Sequence, residues 1–132
     1  MIEKLFSIKK KVIIVTGAGR SIGYNLALGL ANCSAKIYAL DKKFIRKIPI
    51  SHLSNITQIK CDITDYKKIR KIFKKIYQKE KRIDVLINNA GVSLALQGKN
   101  QIYSEKNWAK TINVNLSGSF YCSKEVIKYM LK

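Results

Sequence analysis

The most constraining feature of the sequence is the stretch from Val12 to Gly23, which reads V-I-I-V-T-G-A-G-R-S-I-G. Its first four residues are apolar and β-branched, a composition typical of a strand that is buried on both faces. Glycines follow, and then helix-compatible sequence from Ile22, so we expect a strand, a tight turn and a helix N-terminus. First-turn amides have no intrahelical partner and the helix dipole adds positive charge, so such a junction is suited to bind an anion.

The spacing within this loop separates the known types of nucleotide loop. A P-loop would end in Gly-Lys-Ser/Thr, whereas this loop ends in R-S-I-G. The common fingerprint G-x-G-x-x-G would need glycine in place of Ile22. The pattern that fits is T-G-x-x-x-G-x-G, with Thr16, Gly17 and Gly23 in place and Ser21 where the middle glycine belongs. Alone, the loop also fits a glycine-rich turn without a ligand.

Length and charge limit the remaining function classes. A chain of 132 residues forms one domain at most, and its net charge of +18 comes from 22 Lys and only 4 Arg, scattered along the chain. Proteins that read nucleic acid usually rely on Arg and interleaved aromatic residues. We therefore favour a lysine-rich coding bias over a specific nucleic-acid surface, and expect only salt-sensitive attraction to polyanions.

The cysteines and the apolar segments indicate a cytoplasmic protein without a metal site. Cys33, Cys61 and Cys122 are odd in number and far apart, which favours reduced thiols over a disulfide framework or a zinc site. No uncharged stretch has both the length and the composition of a membrane span, so we expect no membrane partner. The basic start is followed by an apolar run of only a strand's length, which argues against a secretory signal.

Strand and helix patterns alternate along the chain, which predicts a parallel sheet covered by helices. Helix one should begin with Ser21 as its N-cap and turn Ile22, Leu26, Leu30 and Cys33 towards the sheet. The segment 42–55, broken by Pro49, should hold at most one helical turn. The predicted strands are Val12–Thr16, 35–40, 56–61 and 82–87, and the predicted helices are Ser21–Asn32, 65–81 and 104–132. The apolar residues of the third helix should face the sheet, with Asn115 in nearly the same direction. The second helix should bury one apolar stripe, formed by Ile69, Ile72, Phe73 and Ile76.

Polar or small residues directly follow each predicted strand. Asp41 lies 18 residues after Gly23, near the spacing at which a carboxylate accepts hydrogen bonds from the adenosine ribose of a bound dinucleotide. A 2′-phosphate would meet a like charge there, so Asp41 favours NAD over NADP, although Arg20, Lys42 and Lys43 could pair with a phosphate. The alternative is that Asp41 is a plain turn residue.

Three motifs in order resemble the short-chain dehydrogenase/reductase family over 11–132. They are the glycine loop, N-N-A-G at 88–91 and N-V-N-L-S-G-S-F at 113–120. The paired amides of N-N-A-G should tie the fourth strand to neighbouring strands. The resemblance implies that Asp62 and the next amide hold the adenine. The alternative, which is compatible with this role, is that Asp62 or Thr64 caps the following helix. It also implies that Asn115 belongs to the catalytic set. The cofactor-binding residues so predicted are Thr16, Gly17, Arg20, Ser21, Ile22, Gly23, Asp41, Asp62, Ile63, Asn89, Ala90 and Gly91.

The predicted fold class is α/β, a three-layer Rossmann-like parallel sheet with strand order 3-2-1-4 that stops before strand five. Right-handed crossovers would then bring the loop, Asp41, Asp62 and 88–91 to one edge, where one dinucleotide could touch all four. We interpret 1–132 as a single partial NAD(P)-binding domain from which the catalytic half is absent.

The resemblance implies hydride transfer between NAD(P), preferably NAD, and a small-molecule alcohol or carbonyl. The family's Ser and Tyr-x-x-x-Lys are expected beyond 132, because in the family they follow the helix that ends this sequence. The two local matches, Tyr38 with Lys42 and Tyr77 with Lys81, are attributed to the high lysine content. We expect a truncated chain that is inactive alone. A homo-oligomer is a possible assembly. The alternative is a non-catalytic dinucleotide-binding module or partner subunit.

Overall fold

The computed structural model describes residues 6–52, 54–93 and 104–131. In chain order the elements are β1 (Val12–Thr16), α1 (Ser21–Asn32), β2 (Lys36–Asp41), a 3-10 turn (Ile50–His52), β3 (Ile56–Lys60), α2 (Tyr66–Glu80), β4 (Val85–Ile87), α3 (Glu105–Ile112), a π-helical segment (Asn113–Gly118) and α4 (Ser119–Met130).

The four strands form one parallel sheet in the order β3-β2-β1-β4. All five residues of the central strand β1 are buried, as its apolar, β-branched composition predicts. Side chains alternate across the sheet. Ile14 faces the side covered by α2 and α4, whereas Ile13 and Val15 face the side covered by α1. The predicted three-layer fold and strand order are confirmed.

Helix α1 has the predicted bounds but not the predicted inward face. Its buried residues are Gly23, Tyr24, Ala27 and Ala31. Ile22 is 70% exposed and Leu26 is 37% exposed, so the expectation that they cover the sheet is wrong. The small residues Gly23, Ala27 and Ala31 lie at i, i+4 and i+8 and let the helix backbone approach the sheet closely. The free energy gained from this close packing exceeds what burial of the larger side chains would contribute.

Helix α2 follows its sequence pattern closely. Ile69, Ile72, Phe73 and Ile76 are buried as the predicted stripe, and the lysine-rich remainder faces solvent. Asp65 caps the helix by accepting a hydrogen bond from the Lys68 amide at 3.0 Å. The predicted extent of the helix, 65–81, therefore included its two cap residues.

The third predicted helix is a continuous run of α3, the π-helical segment and α4, which together we call the terminal run. Its large apolar residues were expected to face the sheet. Most are instead exposed in this chain, and the buried residues are Gly118, Cys122, Glu125 and Val126. The exposed ones are Trp108, Leu116, Phe120, Ile127, Met130 and Leu131.

A buried carboxylate joins the terminal run to α2. Glu125 is only 2% exposed, and it accepts hydrogen bonds from Tyr66 at 3.1 Å, Tyr129 at 3.2 Å and Lys128 at 2.7 Å. Burial raises the pKa of Glu125, but the Lys128 and tyrosine hydrogen bonds outweigh burial and leave it lowered. No helix in the described ranges is long and apolar enough to cross a membrane.

Candidate functional site

A cleft of about 680 Å³ lies at the carboxyl edge of the sheet, and residues that follow all four strands line it. Its volume lies within the range of roughly 300–1,000 Å³ that is usual for small-molecule sites. Among the predicted site residues, Thr16 and Asn115 do not line the cleft. Those that do are Gly17, Arg20, Ser21, Ile22, Gly23, Asp41, Asp62, Ile63, Asn89, Ala90 and Gly91.

Thr16 fixes the end of β4 next to the end of β1. Its buried hydroxyl accepts hydrogen bonds from the amides of Asn89 and Ala90, both at 3.1 Å, and donates to the Ile87 carbonyl at 3.3 Å. The Asn89 side chain in turn donates to the carbonyls of Thr16 and Gly17, at 3.0 and 3.1 Å. Both side chains therefore hold the two strand ends together.

Two glycines make this packing possible. Gly17 has φ +67°, and a Cβ there would lie 2.6 Å from the Ala90 Cα. A Cβ at Gly23 would lie 2.2 Å from the Gly17 carbonyl oxygen. Any larger residue at either position would push the loop away from the residues after β4 or from α1.

The start of α1 differs from the expected capping. Arg20, not Ser21, occupies the N-cap position, and its side chain makes no capping hydrogen bond to the described residues. Ser21 has φ +48°, which explains why the T-G-x-x-x-G-x-G pattern has glycine at this position. The Tyr24 amide makes the first i to i−4 bond of the helix, to the Arg20 carbonyl at 3.2 Å. Amides 21–23 thus precede the intrahelical ladder at the wall of the cleft.

Asp41 is held at the end of β2 by two backbone amides. Its Oδ2 accepts from the Gly19 amide at 2.8 Å, and its Oδ1 accepts from the Lys43 amide at 3.1 Å. A Cβ at Gly19 would lie 2.2 Å from the Lys43 carbonyl oxygen, so only glycine permits this contact. The prediction overlooked Gly19, whose signal was the extra glycine in the loop.

Asp62 forms a tight turn at the end of β3. Its Oδ1 accepts hydrogen bonds from the Thr64 amide at 2.9 Å and the Thr64 hydroxyl at 2.8 Å, and its Oδ2 pairs with Lys42 Nζ at 2.8 Å. Burial raises the pKa of Asp62, but these contacts outweigh burial and lower it. Neither Asp62 nor Thr64 caps α2, because Asp65 does so; that alternative is wrong.

The pair Asn88-Asn89 ties β4 to two different elements. Asn89 contacts β1 as predicted, whereas the Asn88 side chain donates to the Ser123 hydroxyl of α4 at 2.9 Å. The expectation that both amides bind neighbouring strands therefore holds only for Asn89. Ala90 and Gly91 continue along the floor of the cleft.

Asn115 lies in the π-helical segment and clamps the chain that follows β4. Its Oδ1 accepts from the Val92 amide at 2.8 Å, and its Nδ2 donates to the Val92 carbonyl at 2.9 Å. The side chain is exposed, so its expected orientation towards the sheet is wrong. Short π-helical segments within α-helices are frequent at functional sites.

Neither tyrosine of the two local Tyr-x-x-x-Lys matches lines the cleft, although Lys42 of the first match does. Burial, followed by the hydrogen bond from its hydroxyl to Glu80 at 2.5 Å, raises the pKa of Tyr38, the opposite of what a proton-transfer tyrosine needs at neutral pH. Tyr77 packs against Tyr129 with ring centroids 5.0 Å apart. No group of three or more His, Cys, Asp or Glu side chains within 6–52, 54–93 and 104–131 could hold a metal ion.

Comparison with known proteins gives a consistent result. The family described as short chain dehydrogenase matches residues 11–132. A relative, 2-dehydro-3-deoxy-D-gluconate 5-dehydrogenase of Pseudoalteromonas atlantica, is 34% identical over 137 residues, which cover 99% of this chain and 53% of that protein. The chain spans about half the length of the curated relatives it matches.

Two solved structures show the same fold with different cofactors. ElxO with NADP bound has a TM-score of 0.80 and 31% identity over 90% of this chain and 50% of its own. A short chain dehydrogenase from Leptospira borgpetersenii with bound NAD+ has a TM-score of 0.80 and 26% identity over 92% of this chain and 46% of its own. From its motifs, its fold and the match over 11–132, the chain belongs to the short-chain dehydrogenase family.

Proposed function

We propose that this chain binds a nicotinamide dinucleotide, NAD in preference to NADP, as the cofactor-binding portion of an oxidoreductase. The observation that carries the proposal is the single cleft lined by the ends of all four parallel strands. Ligands of open α/β sheets bind at this edge, where the strand order reverses between β1 and β4. When bound, the cofactor supplies the hydride acceptor or donor for an alcohol or carbonyl on a small molecule.

The start of α1 would hold the pyrophosphate. Amides 21–23 precede the intrahelical hydrogen bonds, and the absence of an acidic residue from the first turn leaves the positive end of the dipole uncompensated. Arg20, exposed beside these amides, adds a cation. Gly17 and Gly23 support this arrangement, because a Cβ at either position would collide with the loop or with the residues after β4 and displace the amides.

Asp41 would accept hydrogen bonds from the adenosine ribose. Each of its carboxylate oxygens already accepts one backbone amide, and each has a further lone pair for a ribose hydroxyl. The two amides also keep the carboxylate from rotating away from the cleft. A 2′-phosphate would therefore face a fixed negative charge, which supports the preference for NAD.

The remaining predicted residues would hold the two ends of the cofactor. All of them line the cleft; Asp62 and the Ile63 amide would meet the adenine, and Asn89, Ala90 and Gly91 would meet the nicotinamide end together with Ile22. Ile22 is 70% exposed, which leaves an apolar surface available to the cofactor. Asn115 would act as a positioning residue in this arrangement, because it holds the Val92 backbone beside Gly91.

Titration of the protein with NADH, followed by cofactor fluorescence, tests the proposal. We expect saturable binding, and we expect Asp41→Asn to weaken NADH about tenfold without weakening NADPH, because the lost charge is one that would repel the 2′-phosphate. Asp65→Asn is a matched control, since its carboxylate serves the α2 cap and not the cleft. Absence of binding at millimolar NADH and NADPH would overturn the proposal.

A further inference from the structure

An ion pair crosses the adenosine side of the cleft. Lys42 Nζ lies 2.8 Å from Asp62 Oδ2, so it joins the residue after β2 to the turn after β3. Both residues line the cleft. Their side chains are 67% and 34% exposed, respectively, so the lysine could reach other positions if it were released.

The acidic partner is fixed more firmly than the lysine. The amide and hydroxyl of Thr64 both bind Asp62 Oδ1, which orients Oδ2 towards Lys42. An Asp with two such donors and a lysine keeps its charge at neutral pH. Asp62 is therefore a permanent anchor, and Lys42 is the mobile member of the pair.

Lys42 follows Asp41, the residue that would face the adenosine ribose in the proposed function, on which this inference rests. A free lysine beside that ribose would attract a 2′-phosphate, because ammonium groups form strong charge-assisted bonds to phosphate. We propose that Asp62 holds Lys42 away from the 2′-position and thereby favours NAD over NADP. Two effects then disfavour NADP: Asp41 repels the 2′-phosphate, and the ion pair with Asp62 keeps the Lys42 ammonium away from it.

Two other cations face the same part of the cleft, Arg20 from the loop and Lys43 from the end of β2. The amide of Lys43 donates to Asp41, and the Lys42–Asp62 ion pair does not involve the Lys43 side chain. Substitutions at Lys42 and Asp62 leave both cations in place. Because Arg20 and Lys43 are present in every variant, their contribution to NADPH binding cancels when the ratio of NADPH to NADH affinity is compared between variants.

Asp62→Asn is the informative variant. The side-chain oxygen of the new asparagine can still accept hydrogen bonds from Thr64, so the turn persists. Its NH2 group, however, is a donor that repels the Lys42 ammonium instead of binding it. We expect the ratio of NADPH to NADH affinity to rise about tenfold, the effect of one new hydrogen bond between charged groups. Any loss of adenine contact affects both cofactors equally and leaves the ratio unchanged.

Two further variants identify the cation. Lys42→Gln should change the ratio less than twofold, because the lysine does not meet the phosphate while Asp62 holds it. Lys42→Gln with Asp62→Asn should lose the gain of Asp62→Asn. Affinities are measured by fluorescence titration with NADH and NADPH, and thermal melting verifies that each variant is folded.

The outcomes separate this inference from the proposed function. Wild-type protein that binds neither cofactor overturns both. Wild-type protein that binds NADH, with an unchanged ratio in folded Asp62→Asn, overturns the inference alone. So does a Lys42→Gln variant that loses NADPH tenfold, since Lys42 would then already reach the phosphate, or a double variant that retains the gain.

Discussion

Helices α1 and α2 both begin at the carboxyl edge of the sheet, directly after β1 and β3, yet their first turns are built differently. Asp65 caps α2 by accepting the Lys68 amide, as Ser104 caps α3 by accepting the Asn107 amide at 3.1 Å. At α1 the cap position is Arg20, whose side chain bonds to none of the described residues as a cap. The cleft opens at the uncapped helix and not at the capped one.

The difference separates a structural helix start from a binding one. A capping carboxylate satisfies first-turn amides and neutralises the helix dipole, which stabilises the helix but removes its capacity for an anion. At α1 no side chain of the described residues caps the corresponding amides, and residues 20–23 line the cleft. A helix start that lacks a cap is thus less stable alone, and in the proposed function the cofactor would complete it.

Displacing the loop in front of the uncapped helix α1 should have the largest effect. Gly23→Ala would place a Cβ 2.2 Å from the Gly17 carbonyl oxygen, so the loop or α1 must shift. We expect NADH affinity to fall at least about a hundredfold and the free energy of unfolding to fall by roughly 1–3 kcal/mol, as for overpacked sites. Fluorescence titration and urea denaturation measure the two effects.

Gly29→Ala is the control within the same helix. A Cβ at Gly29 meets nothing within 4 Å, so this variant should keep its NADH affinity and gain roughly 0.5–1 kcal/mol of stability from the better helix propensity of alanine. Equal losses of affinity in both variants would mean that α1 responds to any alanine and that the close contact at Gly23 is irrelevant.

Removing the cap of α2 should affect stability without affecting the cleft. Asp65→Ala loses the hydrogen bond to the Lys68 amide, and we expect a loss of about 1 kcal/mol in the free energy of unfolding. Asp65→Asn, which retains a capping oxygen, should lose much less. A fall in NADH affinity in Asp65→Ala would show that the two helix starts are not independent.

Relieving the backbone at Ser21 should give a smaller gain. A non-glycine residue at φ +48° costs roughly 1–2 kcal/mol, and glycine returns part of this through its greater freedom in the unfolded chain. We expect Ser21→Gly to gain about 0.5 kcal/mol by urea denaturation, and Ser21→Ala to gain nothing, because it keeps the Cβ. Equal stability of the two variants would contradict the strain.

The sequence was most informative where local chemistry decides the structure. The glycine loop predicted the turn between β1 and α1, and the alternation of elements with right-handed crossovers predicted the strand order. Residues that follow different strands, such as Asp41 and Asn89, could be assigned to one edge without knowledge of any side-chain contact. Ion pairs across that edge, such as Lys42 with Asp62, depend on side-chain conformations and had no signal in the sequence.

Periodicity failed where burial depends on a partner. The buried stripe of α2 was predicted correctly because charged residues, mostly lysines, occupy the rest of the helix surface. In α1, small residues compete with larger ones for the sheet, and Ala27 is buried while Leu26 is partly exposed. In the terminal run, the pattern identified an apolar face correctly, but Trp108 and Phe120 lie on a surface that the sheet does not cover.

The smallest expected effect is a pH dependence at the turn that leads into α2. The pKa of Asp62 lies below its ordinary value of 3.8, because the Lys42 and Thr64 contacts outweigh burial. The charged carboxylate therefore adds stability above pH 3.8, and this stability is lost as the pH falls through the lower, folded-state pKa.

The difference in melting temperature between wild-type protein and Asp62→Asn should shrink on acidification below pH 3.8, and only modestly since the pair is partly exposed. A difference that stays constant down to pH 2 would mean that the charge of Asp62 adds nothing to the turn, and that its geometry alone holds the end of β3 against the start of α2.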